Sequence, residues 1–210
     1  MTATSSYLRC LDRELHYLDW GSPHAEVVIA WHGLLRNARD FDSIAQRLSA
    51  RFRVICPDTV GRGLSAWSPD PSREYCMDFY VALAESLLDQ LGARRCLWLG
   101  TSMGGAIGLR AAAERLRGRI DRLVLNDIGP ELAASAVERI RSYGGRPPSF
   151  ATVTELEAYF RTVYAPFGTL NPAQWRHLTE SSLRRLPDGQ VTPHYDPQVV
   201  EIAPESLVDG

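Results

Sequence analysis

Apolar residues follow two rhythms along this chain. Short unbroken runs occur at Val27–Trp31 and Cys96–Leu99, and Phe52–Cys56 and Ile120–Asn126 read as further strands. Such runs suit strands covered on both faces. Between them lie stripes of helical spacing: Phe41, Ile44, Ala45, Leu48, and then Met77, Val81, Ala84, Leu88, Leu91 up to Gly92. Those spacings predict amphipathic helices. Residues 7–20 predict two short antiparallel strands joined near Asp12-Arg13 and ended by Gly21-Ser22-Pro23, with His16 as a half-exposed strand residue. Strands alternating with helices imply a mostly parallel sheet with helices on both faces.

After Asp127 the pattern turns helical. One helix is expected over 131–142, ending at Gly144-Gly145. A second opens with the capping box Thr152-x-x-Glu155 and carries Leu156, Tyr159, Phe160 and Val163. A third takes Asn171 as cap and Pro172 at its first position, with Trp175, Leu178 and Leu186 on one face. The tail from Gln190 shows little periodicity. Three aromatic-rich helices in this place look like a lid, although most of Tyr159, Phe160, Tyr164, Phe167 and Trp175 read as core.

Chemistry concentrates where strands end. In open α/β sheets ligands bind beyond the carboxyl ends of the strands, and His32, Asp58, Ser102 and Asp127 all fall there. The decisive stretch is Gly100-Thr101-Ser102-Met103-Gly104, between an apolar run and a helix that starts with very small residues. A Gly-x-Ser-x-Gly sequence at a strand–helix junction forms a tight turn that exposes the serine Oγ, with the next backbone N–H aimed at a bound carbonyl oxygen.

Bulk properties narrow the classes. With 210 residues, 45% hydrophobic and 23% charged, the chain suits one ordinary globular domain. A net charge of -2 gives no global attraction to nucleic acid or anionic membranes. No apolar run approaches the roughly 20 residues of a membrane span, and the start has no secretory pattern. Cys10, Cys56, Cys76 and Cys96 have neither metal nor disulfide spacing and read as thiols of a reducing, cytoplasmic compartment.

Taken together, the Ser102 pentapeptide, His32-Gly33 after one strand and Asp58-x-x-Gly61-x-Gly63-x-Ser65 after the next make the chain resemble the α/β-hydrolases, in particular their lid-bearing, cofactor-free esterase-like branch. The resemblance implies a mostly parallel sheet with antiparallel N-terminal strands in residues 1–130, a helical lid over 131–190 and a return segment over 191–210. It implies Ser102 as nucleophile and the backbone N–H groups of Leu34 and Met103 as oxyanion hole. Gly33, Leu35, Trp67 and Tyr159 are expected to contact substrate. His32 would be structural, and Asp58 would shape the loop beside the pocket. No metal or cofactor is implied.

The family's acid and histidine normally follow its last two strands, and no such strands are legible here. The fold is therefore expected to be that sheet without its seventh and eighth strands, as in a truncated chain. Asp127 matches an alternative acid position. His177 is expected to be solvated, and His194 is a weak substitute base. Residues 120–126 should then form an open sheet edge, with marginal folding or self-association through it. The implied activity is hydrolysis of a small carboxylic ester, or of a related acyl or C–C bond, impaired here for want of a base. A small-ligand sensor of the same fold is the alternative.

Overall fold

The computed structural model describes residues 2–129, 138, 140 and 142–201. β1 (Thr4–Cys10) and β2 (Arg13–Trp20) form a hairpin. Its two linking residues, Leu11 and Asp12, both take positive φ, 49° and 62°. That turn carries the right-handed twist of the paired strands. There follow β3 (Val27–Trp31), α1 (Asp42–Leu48), β4 (Arg53–Pro57), α2 (Pro71–Glu74), α3 (Met77–Gln90), β5 (Cys96–Thr101), α4 (Met103–Ala113) and β6 (Ile120–Asn126).

The six strands form one sheet in the order β1-β2-β4-β3-β5-β6. β2 is antiparallel to both neighbours, whereas β4, β3, β5 and β6 run parallel. Two apolar layers explain the unbroken runs. On β3, Val27, Ile29 and Trp31 join the cluster containing Tyr80, Leu87 and Trp98, while Val28 and Ala30 join Phe41, Ala45 and Val54 on the opposite face. Trp31 and Trp98 stack with ring centroids 5.3 Å apart. Among the described residues β6 ends the sheet, with Val124 56% and Leu125 40% exposed.

Two helical predictions before Asp127 need correction. Ile44 is exposed, because α1 offers the core only a narrow stripe around Phe41 and Ala45. α4 ends at Ala113, not near Leu116. The helix expected over 131–142 lies mostly outside the described residues; residues 142–144 are helical.

Beyond these come α5 (Val153–Val163) and α6 (Pro172–Ser181). Both start with reciprocal capping boxes, Thr152 with Glu155 and Asn171 with Gln174. Leu156, Phe160, Tyr164, Trp175 and Val191 form their shared core. Leu186 is not on α6. It sits in the turn of a hairpin made by β7 (Leu183–Arg185) and β8 (Val191–Pro193). That hairpin escapes periodicity because each strand has three residues, although Pro187-Asp188-Gly189 is a turn signal. Residues 194–196 then reach back to the loop after β4: the Gly63 N–H donates to the His194 carbonyl and the Asp196 N–H to the Gly61 carbonyl.

Candidate active site

β5 runs into α4 through one residue, Ser102, whose backbone takes φ 50° and ψ -117°. This is left-handed territory that an L residue enters at a cost of order 1–3 kcal/mol, so neighbours must hold it there. They do so with hydrogen bonds. The Ser102 N–H donates to the Asn126 carbonyl at 2.8 Å, and the Ser102 carbonyl accepts from Gly105 and Ala106 at 2.8 and 3.0 Å. The flanking glycines are required by contact. A Cβ on Gly100 would lie 2.3 Å from the Gly104 carbonyl oxygen, and one on Gly104 would lie 2.1 Å from that of Trp31. The Trp98 indole N–H also donates to the Gly104 carbonyl, at 2.9 Å. Among the described residues, no group hydrogen-bonds to Ser102 Oγ.

Facing this turn is the loop after β3. A Cβ on Gly33 would meet that of Ser102 at 3.7 Å, so the two segments touch. Leu34 and Met103 are both buried, and neither backbone N–H donates to any described residue. Among the described residues, then, these two backbone amides and the Ser102 hydroxyl are left without a hydrogen-bond partner.

Buried side chains fix the loop. The His32 Nε2 accepts from the Thr59 N–H at 2.9 Å, so its Nδ1 carries the proton and donates to the Gly33 carbonyl at 2.7 Å. Burial pushes His32 down to about 4, against the opposing pull of Asp58. It is neutral at pH 7. Arg62, which the sequence did not single out, is wholly buried. Its Nε donates to the Leu34 carbonyl at 2.9 Å, its Nη1 to the Val60 carbonyl and the Tyr80 hydroxyl, and its Nη2 rests 3.6 Å from Met103 Sδ. One guanidinium therefore touches both residues that carry the orphan amides. Only its place between Gly61 and Gly63 pointed to it.

Asp58 accepts from the Ala38 N–H at 2.7 Å, the Leu64 N–H at 2.9 Å and His16 Nδ1 at 2.7 Å. Burial works against its charge, but the His16 hydrogen bond, the nearby His32 and the two amides outweigh burial and hold the carboxyl below its usual range. His16 is thus a buried partner of Asp58, only 2% exposed, and not the half-exposed residue that strand alternation suggests. Alternation cannot see a side chain covered from the next strand's loop.

The remaining candidates are scattered. Leu35 is buried in the main core, where a Cβ on Gly144 would meet it at 2.7 Å. Trp67 is 39% exposed under the Arg184 guanidinium. Tyr159 donates to the Tyr143 carbonyl and packs on Phe150 and Phe160. It borders a cleft of about 570 Å³ with Tyr143, Arg146 and Pro148, whose lining does not include Ser102 or Gly33. Asp127, exposed with φ 54°, directly follows the residue that anchors the Ser102 amide. No described histidine pairs with it. His177 is half-exposed and lies 3.2 Å from Asp42. His194 is partly buried, which lowers its pKa, and its backbone is what contacts the Gly63 loop.

Comparison with known proteins agrees with this fold. Residues 26–162 match the family model described as alpha/beta hydrolase fold. A 3-hydroxybutyrate-oligomer hydrolase of Cupriavidus necator is 39% identical over 216 residues, covering 97% of this chain and 73% of that protein. A mouse sn-1-specific diacylglycerol lipase is 34% identical over 128 residues, 59% of this chain and 39% of the lipase. An alpha/beta hydrolase from Novosphingobium aromaticivorans superposes with a TM-score of 0.84 at 33% identity, covering 95% of this chain and 70% of that one. With its sheet order, its strained serine turn and these relatives agreeing, the chain belongs to the α/β-hydrolase fold family and to its hydrolase enzymes.

Proposed function

We propose that this protein is a serine hydrolase that opens a small carboxylic ester, or a related acyl or C–C bond, with Ser102 as nucleophile. The single observation behind this reading is the Ser102 turn itself, at φ 50° and ψ -117°, next to the Leu34 and Met103 amides, which donate to none of the described residues. Ser102 Oγ attacks the carbonyl carbon. The Leu34 and Met103 N–H groups take the negative charge that builds on the carbonyl oxygen. The tetrahedral species expels the alkoxide, and water then frees the acid from the acyl-enzyme. Each such donor is worth roughly 3–4 kcal/mol of barrier where it has been removed.

A serine hydroxyl also needs a proton acceptor. Asp127 is the acid candidate by position, and no described histidine reaches Ser102. Turnover by residues 1–210 alone is accordingly expected to be slow, since loss of one triad member costs several powers of ten. The Cupriavidus relative bears a name that points to substrate: oligomers of 3-hydroxybutyrate are chains of aliphatic esters, the bond class this site suits. In this reading α5, α6 and the segment before them act as a lid. Support comes from the ties between that segment and the Gly33 loop: Arg36 lies under the Tyr164 ring and Asn37 donates to the Ser181 carbonyl. Gly33, Leu35, Trp67 and Tyr159 would shape the substrate's path. The open β6 edge is assigned to self-association, and the four free thiols suit a cytoplasmic setting.

A fluorophosphonate probe with peptide mapping tests the reading. An adduct on the Ser102 peptide, lost in Ser102→Ala, is the expected result. No adduct there, together with thermal stabilisation by a 3-hydroxybutyrate dimer, would replace the hydrolase with a ligand sensor.

A further inference from the structure

A second serine lies in a hydrogen-bonded line that the Ser102 chemistry does not use. Ser5 on β1 has its Oγ 2.9 Å from His16 Nε2, and His16 Nδ1 is 2.7 Å from Asp58 Oδ2. The register explains the meeting: Tyr7 stands opposite His16, so Ser5, two residues earlier, lies diagonally on the same face. His16 and Asp58 are each 2% exposed, whereas Ser5 is exposed.

The proton positions follow from the partners. Asp58 accepts from two backbone N–H groups as well as from His16, so its carboxylate is an acceptor and His16 Nδ1 is the donor. In the neutral ring Nε2 then carries a lone pair, and the Ser5 hydroxyl donates to it. This is the order that activates a serine: exposed hydroxyl, oriented imidazole, buried carboxylate. Four strand spacings separate β1 from β5, about 19 Å at about 4.8 Å each, so the line is distinct from the Ser102 turn.

We propose that Ser5, with His16 as base and Asp58 as orienting acid, is a second nucleophilic site that accepts acyl or phosphonyl groups from activated aryl esters and organophosphorus compounds. With an ester, the Ser5 Oγ–carbon bond forms as the carbon–oxygen bond to the aryl leaving group breaks. His16 Nε2 takes the hydroxyl proton and passes it to the departing oxygen. With a fluorophosphonate, Oγ–P forms, P–F breaks, fluoride leaves and the proton stays on His16. β1 is an edge strand, so either the Ser5 N–H or those of Thr4 and Ser6 point outward and unpaired, giving the oxyanion a donor. Tyr7, half-exposed, sets its ring 5.1 Å from the imidazole. An aryl group can lie against it.

The test uses the Ser102→Ala protein, so the elbow serine cannot report. Folded Ser102→Ala is treated with a fluorophosphonate, and separately with p-nitrophenyl acetate, then digested and sequenced by fragment ions that separate Ser5 from Ser6. A single adduct on Ser5 is expected. It should vanish in Ser102→Ala/Ser5→Ala, persist in Ser102→Ala/Ser6→Ala, and form at least about 100-fold more slowly in Ser102→Ala/His16→Gln. Absence of the Ser5 adduct in folded Ser102→Ala overturns the proposal, as does an equal rate with folded His16→Gln. Should His16→Gln not fold, the Ser5 and Ser6 variants decide on their own, because both positions lie on the outer strand.

Discussion

His32 offers a sharp quantitative test of how the loop beside Ser102 is held. The ring is wholly buried and must stay neutral to accept from the Thr59 N–H. Its pKa falls from 6.5 to about 4 on folding. A folded pKa below the unfolded one means that the unfolded chain binds the proton first. Stability is therefore complete above pH 6.5 and lost as pH falls toward 4. At about 1.4 kcal/mol per pKa unit the full loss is about 3 kcal/mol, of which about 2.5 falls between pH 7.5 and 4.5. Against a usual stability of about 5–15 kcal/mol this is a large share. Urea unfolding at pH 7.5, 6.5, 5.5 and 4.5 measures it, with the midpoint expected to drop by about 1 M or more. The control is His32→Gln, which starts less stable but has no proton to take up. His194, also depressed by burial, is present in both proteins and cancels. Asp58 acts in another window: its contribution is present above about pH 4 and is lost below, as pH falls through its lowered folded pKa. Parallel stability–pH curves for wild type and His32→Gln over pH 7.5–4.5 would refute the reasoning.

Three further outcomes are expected. Gly104→Ala drives a Cβ to 2.1 Å from the Trp31 carbonyl, whereas Gly33→Ala meets nothing nearer than 3.7 Å; calorimetry should show the first losing about 1–3 kcal/mol and the second much less. Arg62→Met keeps side-chain volume but removes the donor to Leu34, so the Ser102 adduct should form at least about 10-fold more slowly while circular dichroism stays unchanged. Val124→Lys puts a charge on the open β6 edge, where Val124 is 56% exposed; analytical ultracentrifugation should show concentration-dependent association in the wild type and its loss in the variant.

The local physics of the chain is written in its sequence. Continuous apolar runs announced β3, β4 and β5, because a strand covered on both faces has no polar side. The small residues around Ser102 announced the elbow, because β5, α4 and β3 approach too closely there for any Cβ. Thr152 and Asn171 announced the starts of α5 and α6, because caps act within one turn. Only the folded chain decided what distant segments do to one another. Strand alternation put His16 half in water, yet Asp58, from the loop after β4, covers it and orients its ring toward Ser5. Arg62 is one residue of a glycine-rich loop until folding sets its guanidinium under Leu34 and against Met103. The β7–β8 hairpin is too short for periodicity and forms because its two strands pair with each other and Val191 exchanges backbone hydrogen bonds with distant Phe150. Sequence pattern records the burial and turns that each residue needs locally, while hydrogen bonds between remote loops depend on a closure of the chain that no local pattern encodes.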